Sequence, residues 1–220
     1  GDTGAAAIES LKNKNNIKVF ILHPYKRVSD FQRRQMTTVN CSNVHNIAIE
    51  GNFDDCQAII KKLFRDSEFN NKYNLSSINS INWTRVMAQI VYYVYCAGRN
   101  EFKDNKVIFS VPTGNFGDIY AGYMAKCIGV PIDKLLISTN SNDILDRFFR
   151  TAEYTIKDVI PTISPSMDIQ VASNFERLLY DIEDRNHEKV SEHMNLLKTT
   201  KSFKVNNNLL NRFKEIFYSY

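Results

Sequence analysis

From residue 3 to residue 64 the chain alternates helix-like and strand-like patterns, and this alternation restricts it to a parallel α/β architecture. The expected elements are a helix over 3–13, a strand over 17–22, a helix over 30–37, a strand over 44–49 and a helix over 54–64. Ile17-Lys18-Val19-Phe20-Ile21-Leu22 is almost continuously apolar and stops at His23-Pro24, as a strand buried on both faces does. In the third helix Phe53, Ala58, Ile59, Ile60, Leu63 and Phe64 form a broad apolar stripe. Asp54 and Asp55 in its first turn complement the helix dipole.

Residues 65–77 are polar and rich in Asn and Ser, and read as the boundary between a smaller unit, 1–78, and a larger one, 79–220. Beyond it Val86, Ile90, Tyr93, Val94 and Ala97 keep helical spacing up to Gly98. A strand over 107–111, a helix over 119–127 and a strand over 135–138 follow, with breaks at Gly129 and Val130-Pro131. The next helix, 143–149, reads as presenting Asp143, Asp146 and Arg147 to solvent, and the chain loosens over 161–166. The C-terminal part is mostly helical: Phe175, Leu178, Leu179 and Ile182 mark one amphipathic helix, and Leu209, Leu210, Phe213, Ile216 and Phe217 another. Asn206-Asn207-Asn208 reads as surface loop.

Hydrophobic residues make up 43% of the chain, yet no apolar run approaches the ~20 residues of a membrane span. The net charge of +4 is scattered, so neither a membrane nor a nucleic-acid partner is implied. Cys41, Cys56, Cys96 and Cys127 lack metal or dithiol spacing and read as reduced thiols of a cytoplasmic protein. His23, His45, His187 and His193 also lack ligand spacing, so no metal site is expected. No secretory signal is visible. A start without Met on Gly1-Asp2-Thr3-Gly4 suggests a piece of a longer polypeptide.

The segment with most chemical content is Pro112-Thr113-Gly114-Asn115-Phe116-Gly117-Asp118, set between the strand over 107–111 and the helix over 119–127. Two glycines at a strand-to-helix turn let backbone N–H groups converge on one anion, and the helix N-terminus adds partial positive charge. The loop has no Lys, so it is not a nucleotide P-loop, and it lacks the three spaced glycines of a dinucleotide site. A glycine turn that binds nothing is the alternative.

Five segments together are similar to the threonine synthase family. They are Gly1-Asp2-Thr3-Gly4, His23-Pro24, the run Asn79-Ser80-Ile81-Asn82-Trp83-Thr84-Arg85, the loop 112–118, and Ser166-Met167-Asp168-Ile169 with Ser173-Asn174-Phe175-Glu176-Arg177. The resemblance implies three-layer, mostly parallel twisted sheets with flanking helices, part of a two-domain fold-type II pyridoxal-phosphate enzyme. It also implies conversion of O-phospho-L-homoserine and water to L-threonine and phosphate. By the same resemblance Gly114, Asn115, Phe116, Gly117 and Asp118 hold the phosphate of pyridoxal 5'-phosphate, with Gly117 serving backbone conformation and Phe116 offering its N–H while its ring enters the core. Gly1, Asp2 and Thr3 receive the amino-acid substrate, Thr3 having an N-cap role as its alternative. Ser80, Asn82 and Arg85 meet the substrate phosphate, where a guanidinium can make two parallel hydrogen bonds; a salt bridge is the alternative for Arg85. Asp168, Asn174 and Arg177 read as bracing residues.

The family's Schiff-base lysine, in a Phe-Lys-Asp context, belongs upstream of Gly1, so the stretch is expected to be inactive alone and to depend on other parts of its own polypeptide. Phe102-Lys103-Asp104 lies in a polar loop downstream and is not assigned that role. A Thr in a His-Thr-Ala context, expected after Asp168, is absent. Exposed edges would make the stretch poorly soluble or self-associating. A phospho-lyase releasing a keto acid and a non-catalytic module remain as other readings.

Overall fold

Six residues of β1 (Val19–Pro24) pair in parallel with six of β2 (Val44–Ile49), in a register running from Val19 opposite Val44 to Pro24 opposite Ile49. The computed structural model describes residues 2–99 and 105–219. Gly1 and the Phe102-Lys103-Asp104 triplet lie outside the described residues. The chain divides into two compact units, Gly1–Asn79 with Pro161–Ile169, and Ser80–Ile160 with Gln170–Tyr220.

In the first unit α1 (Asp2–Leu11), α2 (Asp30–Thr37), α3 (Phe53–Arg65) and α4 (Ser67–Tyr73) accompany the β1–β2 pair. Ser29 starts α2 through a capping box with Gln32, and Asn52 starts α3 through one with Asp55, so local sequence sets both boundaries. The core is small: Ala7, Ile8, Val19, Ile21 and Met36. Asn43 Nδ2 donates to the carbonyls of Leu11, Lys14 and Ile17, at 2.9, 3.2 and 3.1 Å, and ties the end of α1 to the approach to β1. Gly4 allows α1 to press on the sheet, because a Cβ there would stand 2.9 Å from both Ile21 Cγ2 and Met36 Sδ. The segment 161–169 carries a 3-10 turn, Pro165–Met167, braced where the Thr162 N–H and hydroxyl donate to Asp168 at 2.9 and 2.6 Å.

The second unit is built on a parallel three-stranded sheet in the order β3 (Val107–Pro112), β4 (Ile132–Ser138), β7 (Phe217–Ser219). Around it lie α5 (Trp83–Ala97), α6 (Gly117–Cys127), α7 (Ile144–Thr151), α8 (Phe175–Ile182), α9 (His187–Thr200) and α10 (Asn207–Lys214). An antiparallel pair, β5 (Glu153–Thr155) with β6 (Ser202–Lys204), sits apart from this sheet. The core is aromatic: the Phe148 ring lies 4.9 Å from Phe175 and 5.3 Å from Phe213, both edge-on. Gly122 permits the close approach of α5 and α6, since a Cβ there would meet the Tyr93 ring at 2.7 Å.

Four sequence expectations are corrected. The first strand neither stops at His23-Pro24 nor is buried on both faces, since β1 runs to Pro24 and Phe20 is largely exposed. The last amphipathic pattern does not continue through Ile216 and Phe217: α10 ends at Lys214, and Phe217 opens β7 opposite Leu135. Asp143, Asp146 and Arg147 are not a solvated face. Arg147, only 14% exposed, donates to Asp143 at 2.8 Å, to the Thr155 carbonyl at 3.0 Å and to Gln170 at 3.4 Å, while Asp146 is 13% exposed beside Arg150. Asn206 is no idle loop residue, for its side chain caps α10 by accepting the Leu209 N–H at 2.8 Å. Among the described residues, no helix is long and apolar enough to cross a membrane.

Candidate functional site

In the second unit the end of β3 fixes the start of the loop. Thr113, 5% exposed, donates its N–H to the Ser138 carbonyl at 2.8 Å and its hydroxyl to the Val111 carbonyl at 2.6 Å. The turn into α6 is then made by Phe116, which takes the left-handed conformation at φ 64°, ψ 13°. A non-glycine residue holds that conformation only where its surroundings impose it. Here the ring is buried edge-on against Phe175 at 5.4 Å. Gly117, read from the sequence as serving the backbone, has no positive φ, and a Cβ on it would meet Asn174 Nδ2 at an ordinary 3.4 Å. The backbone bend therefore belongs to Phe116.

Among the described residues, no side chain caps α6. Helix N-termini normally satisfy their first N–H groups with a Ser, Thr, Asp or Asn oxygen, and one left uncapped offers those donors to an anion. Asp118 could have closed it, but its carboxylate is turned aside: the Tyr93 hydroxyl donates to the Asp118 carbonyl at 2.9 Å and to its Oδ1 at 3.3 Å. Burial pushes the Asp118 carboxyl above the usual carboxylate range, and the Tyr93 hydrogen bond partly opposes that.

The loop is held from behind by two residues far along the chain. Asn174, fully buried, donates its backbone N–H and its Nδ2 to the Asn115 carbonyl, each at 3.0 Å, and Nδ2 also reaches the Ser80 carbonyl at 2.9 Å. Arg177 donates to Asn174 Oδ1 and, at 2.7 Å, to the Ile81 carbonyl, with its guanidinium 5.8 Å from the centre of the Trp83 ring. Ser173 donates to Asn115 Oδ1 at 3.1 Å. This network ties Ser80 and Ile81, just before α5, to the 112–118 loop. Ser80 Oγ is buried with no hydrogen-bond partner, an uncompensated polar atom beside the network. Asn82 caps α5 by accepting the Thr84 N–H at 2.9 Å. Arg85, in the first turn, is half-buried, and desolvation pulls its pKa below the usual guanidinium value.

In the first unit, α1 begins at Asp2, so Thr3 lies inside the first turn and is not its cap. Both Asp2 oxygens are engaged, Oδ1 by Gln32 Nε2 at 2.8 Å and Oδ2 by the Ser166 hydroxyl at 2.7 Å. These two hydrogen bonds, Ser166 foremost, hold the Asp2 carboxyl below the usual carboxylate range. Gln32 does double duty, because its Oε1 accepts the Ser29 N–H in the α2 capping box. Sequence reasoning named Ser166 only as part of a pattern and passed over Gln32, whose capping-box position was its one local signal.

The second unit thus combines parallel strands, a sharp strand-to-helix turn and a helix N-terminus without a side-chain cap, an arrangement suited to an anion. Residues 1–195 match the model of the pyridoxal-phosphate dependent enzymes, and the chain belongs to that family. Over its whole length it is 49% identical to threonine synthase from Pseudomonas aeruginosa, covering 47% of that protein, and over 82% of its length 56% identical to threonine synthase from Eremothecium gossypii, covering 36%. The structure of pyridoxal-phosphate-bound threonine synthase from Brucella melitensis superposes with a TM-score of 0.87 at 49% identity, covering all of this chain and 47% of that one. The chain thus spans about half the length, or less, of these relatives.

Proposed function

We propose that the full-length protein to which this stretch belongs is a threonine synthase, converting O-phospho-L-homoserine and water into L-threonine and phosphate. The observation that carries the reading is the uncapped N-terminus of α6, with Asp118 drawn off it by Tyr93. Its donor set suits a phosphate dianion, because backbone N–H groups already in place need no reorganisation when charge arrives. Gly114, Asn115, Phe116, Gly117 and Asp118 would hold the cofactor phosphate through their backbone. When bound, pyridoxal phosphate supplies an aldehyde for the substrate amine and a ring that accepts the electron pair released at the substrate α-carbon.

Arg85 and the Ser80 hydroxyl are assigned to the substrate phosphate, with Asn82 setting the turn that presents them. The guanidinium provides the discrimination between phosphohomoserine and homoserine. Asp2 and Thr3 belong to the amino-acid-binding end of α1, where Asp2 shapes the turn through Gln32 and Ser166 while backbone donors face the substrate. Gly1 completes that motif. The lysine that moves protons at the α and β carbons is assigned to the remainder of the polypeptide, so this stretch alone is inactive.

The test is turnover of O-phospho-L-homoserine by the full-length protein loaded with pyridoxal phosphate. Threonine and phosphate in equal amounts are expected, with Arg85→Leu losing preference for the phosphorylated substrate. A keto acid and ammonia in place of threonine would instead make it a phospho-lyase, and no turnover at all would favour a non-catalytic module.

A further inference from the structure

A second polar group in the first unit has no role in the chemistry above. His23, near the carboxyl end of β1, is 6% exposed, and its Nδ1 is buried without a hydrogen-bond partner. Val19, Ile21 and His23 alternate onto one buried face of the strand, while Phe20, on the opposite face, is 57% exposed. The buried face is the one that α1 covers, since a Cβ on Gly4 would stand 2.9 Å from Ile21 Cγ2.

The direction of α1 fixes what His23 faces. Asn43 ties the carboxyl end of α1 to the beginning of β1, so α1 runs back along the strand with its amino end toward the strand's carboxyl end. Gly4 sits over Ile21, and the helix begins two residues earlier, at Asp2, about 3 Å further along the axis. His23 is one pleat beyond Ile21 on the same face, about 6.6 Å in the same direction. The orphaned nitrogen is thereby brought just beyond the first turn of α1, off its amino end, at the strand end where ligands of parallel sheets bind. Asp2, the acidic group of that turn, does not engage it, because its oxygens are taken by Gln32 and Ser166. The other orphaned atom of this face, Asn46 Oδ1, is level with Ile21, where Gly4 and Met36 already close the space.

We propose that His23 is a further substrate-binding residue, donating from Nδ1 to an anionic oxygen of the amino-acid substrate at the amino end of α1. This rests on the threonine synthase reading above. The nearby backbone N–H groups and the imidazole make one donor set, and His23 contributes binding without taking part in bond making. The anionic oxygen belongs either to the carboxylate or to the phosphate of the substrate.

The experiment is steady-state kinetics of the full-length protein with O-phospho-L-homoserine, comparing wild type, His23→Leu and His23→Asn. Leu removes the donor, and a hydrogen bond to a charged oxygen corresponds to a KM rise of about tenfold to a hundredfold, with kcat little changed. Asn places an amide N–H near the position of Nδ1 and restores most of the loss. Inhibition by inorganic phosphate and by L-homoserine distinguishes the sources, since the inhibitor that weakens in His23→Leu carries the anion that His23 binds. Calorimetric binding of the same two probes tests His23 even without turnover. An unchanged KM and unchanged binding of both probes in His23→Leu overturns the proposal. So does a loss that Asn fails to restore while thermal stability falls in both variants, which marks a packing role. Absence of turnover in the wild type counts against the functional reading alone.

Discussion

Replacing Asn174 by Ala tests whether the candidate phosphate loop is held by side chains nearly sixty residues away. The substitution deletes two donor contacts, to Ser80 O at 2.9 Å and Asn115 O at 3.0 Å, together with the acceptor for Arg177. Asn115 O keeps the Asn174 backbone N–H, so its loss is partial, whereas Ser80 O loses its side-chain donor. Neutral hydrogen bonds contribute about 1 kcal/mol each and one to a charged group about 1.5–3, so the expected loss is about 3–4 kcal/mol. Because the network positions the loop, pyridoxal-phosphate affinity should fall as well. Urea unfolding of the full-length protein measures the first quantity and cofactor titration by absorbance the second. Asn174→Asp keeps an oxygen for Arg177 but loses both donors, and at pH 8 should be no more stable than Ala. A loss below about 1 kcal/mol with unchanged cofactor affinity would refute the bracing role.

Gly4→Ala should cost about 1–3 kcal/mol, as overpacking does, because the new methyl meets Ile21 and Met36 at 2.9 Å; equilibrium unfolding checks it. Phe116→Ala removes a fully buried ring from between Phe175 and Phe217 and should cost about 3–5 kcal/mol by the same measurement. Asp118 has a raised folded-state pKa, so it penalises the folded state as pH rises above the ordinary value of 3.8, most fully above the raised one. Asp118→Asn should therefore gain stability relative to wild type across that interval, and a difference flat with pH contradicts it. Asp2 is the opposite case: its depressed pKa stabilises the fold above 3.8 and is lost as pH falls through the folded value. Ser166→Ala should accordingly be less stable than wild type at neutral pH and converge with it in acid.

Local rules made much of this fold legible. α2 and β2 occupy the residues expected, and in the structure Ser29 and Gln32 close a capping box at the start of α2. What escaped were elements decided by tertiary pairing. β7 is three residues long, too short for any period to register, and its Phe217 continued a helical spacing until sheet pairing with Leu135 overrode it. Arg147 looked solvated because β5, whose Thr155 carbonyl it meets, was itself invisible. α4 lies in the polar stretch read as a boundary, started by an Asp66 cap and burying no residue of its own. At the site, the strand-turn-helix was readable from residue types, but not the assignment of the bend to Phe116, nor the bracing of Asn115 by Asn174, since neither leaves a local signature.

A crystal structure of the full-length protein with pyridoxal phosphate bound tests the central claim most directly. The expected result is cofactor phosphate oxygens about 2.7–3.0 Å from backbone nitrogens of the 114–118 loop, with Asp118 still held by Tyr93. A cofactor phosphate bound elsewhere, with that loop free of any anion, would contradict it.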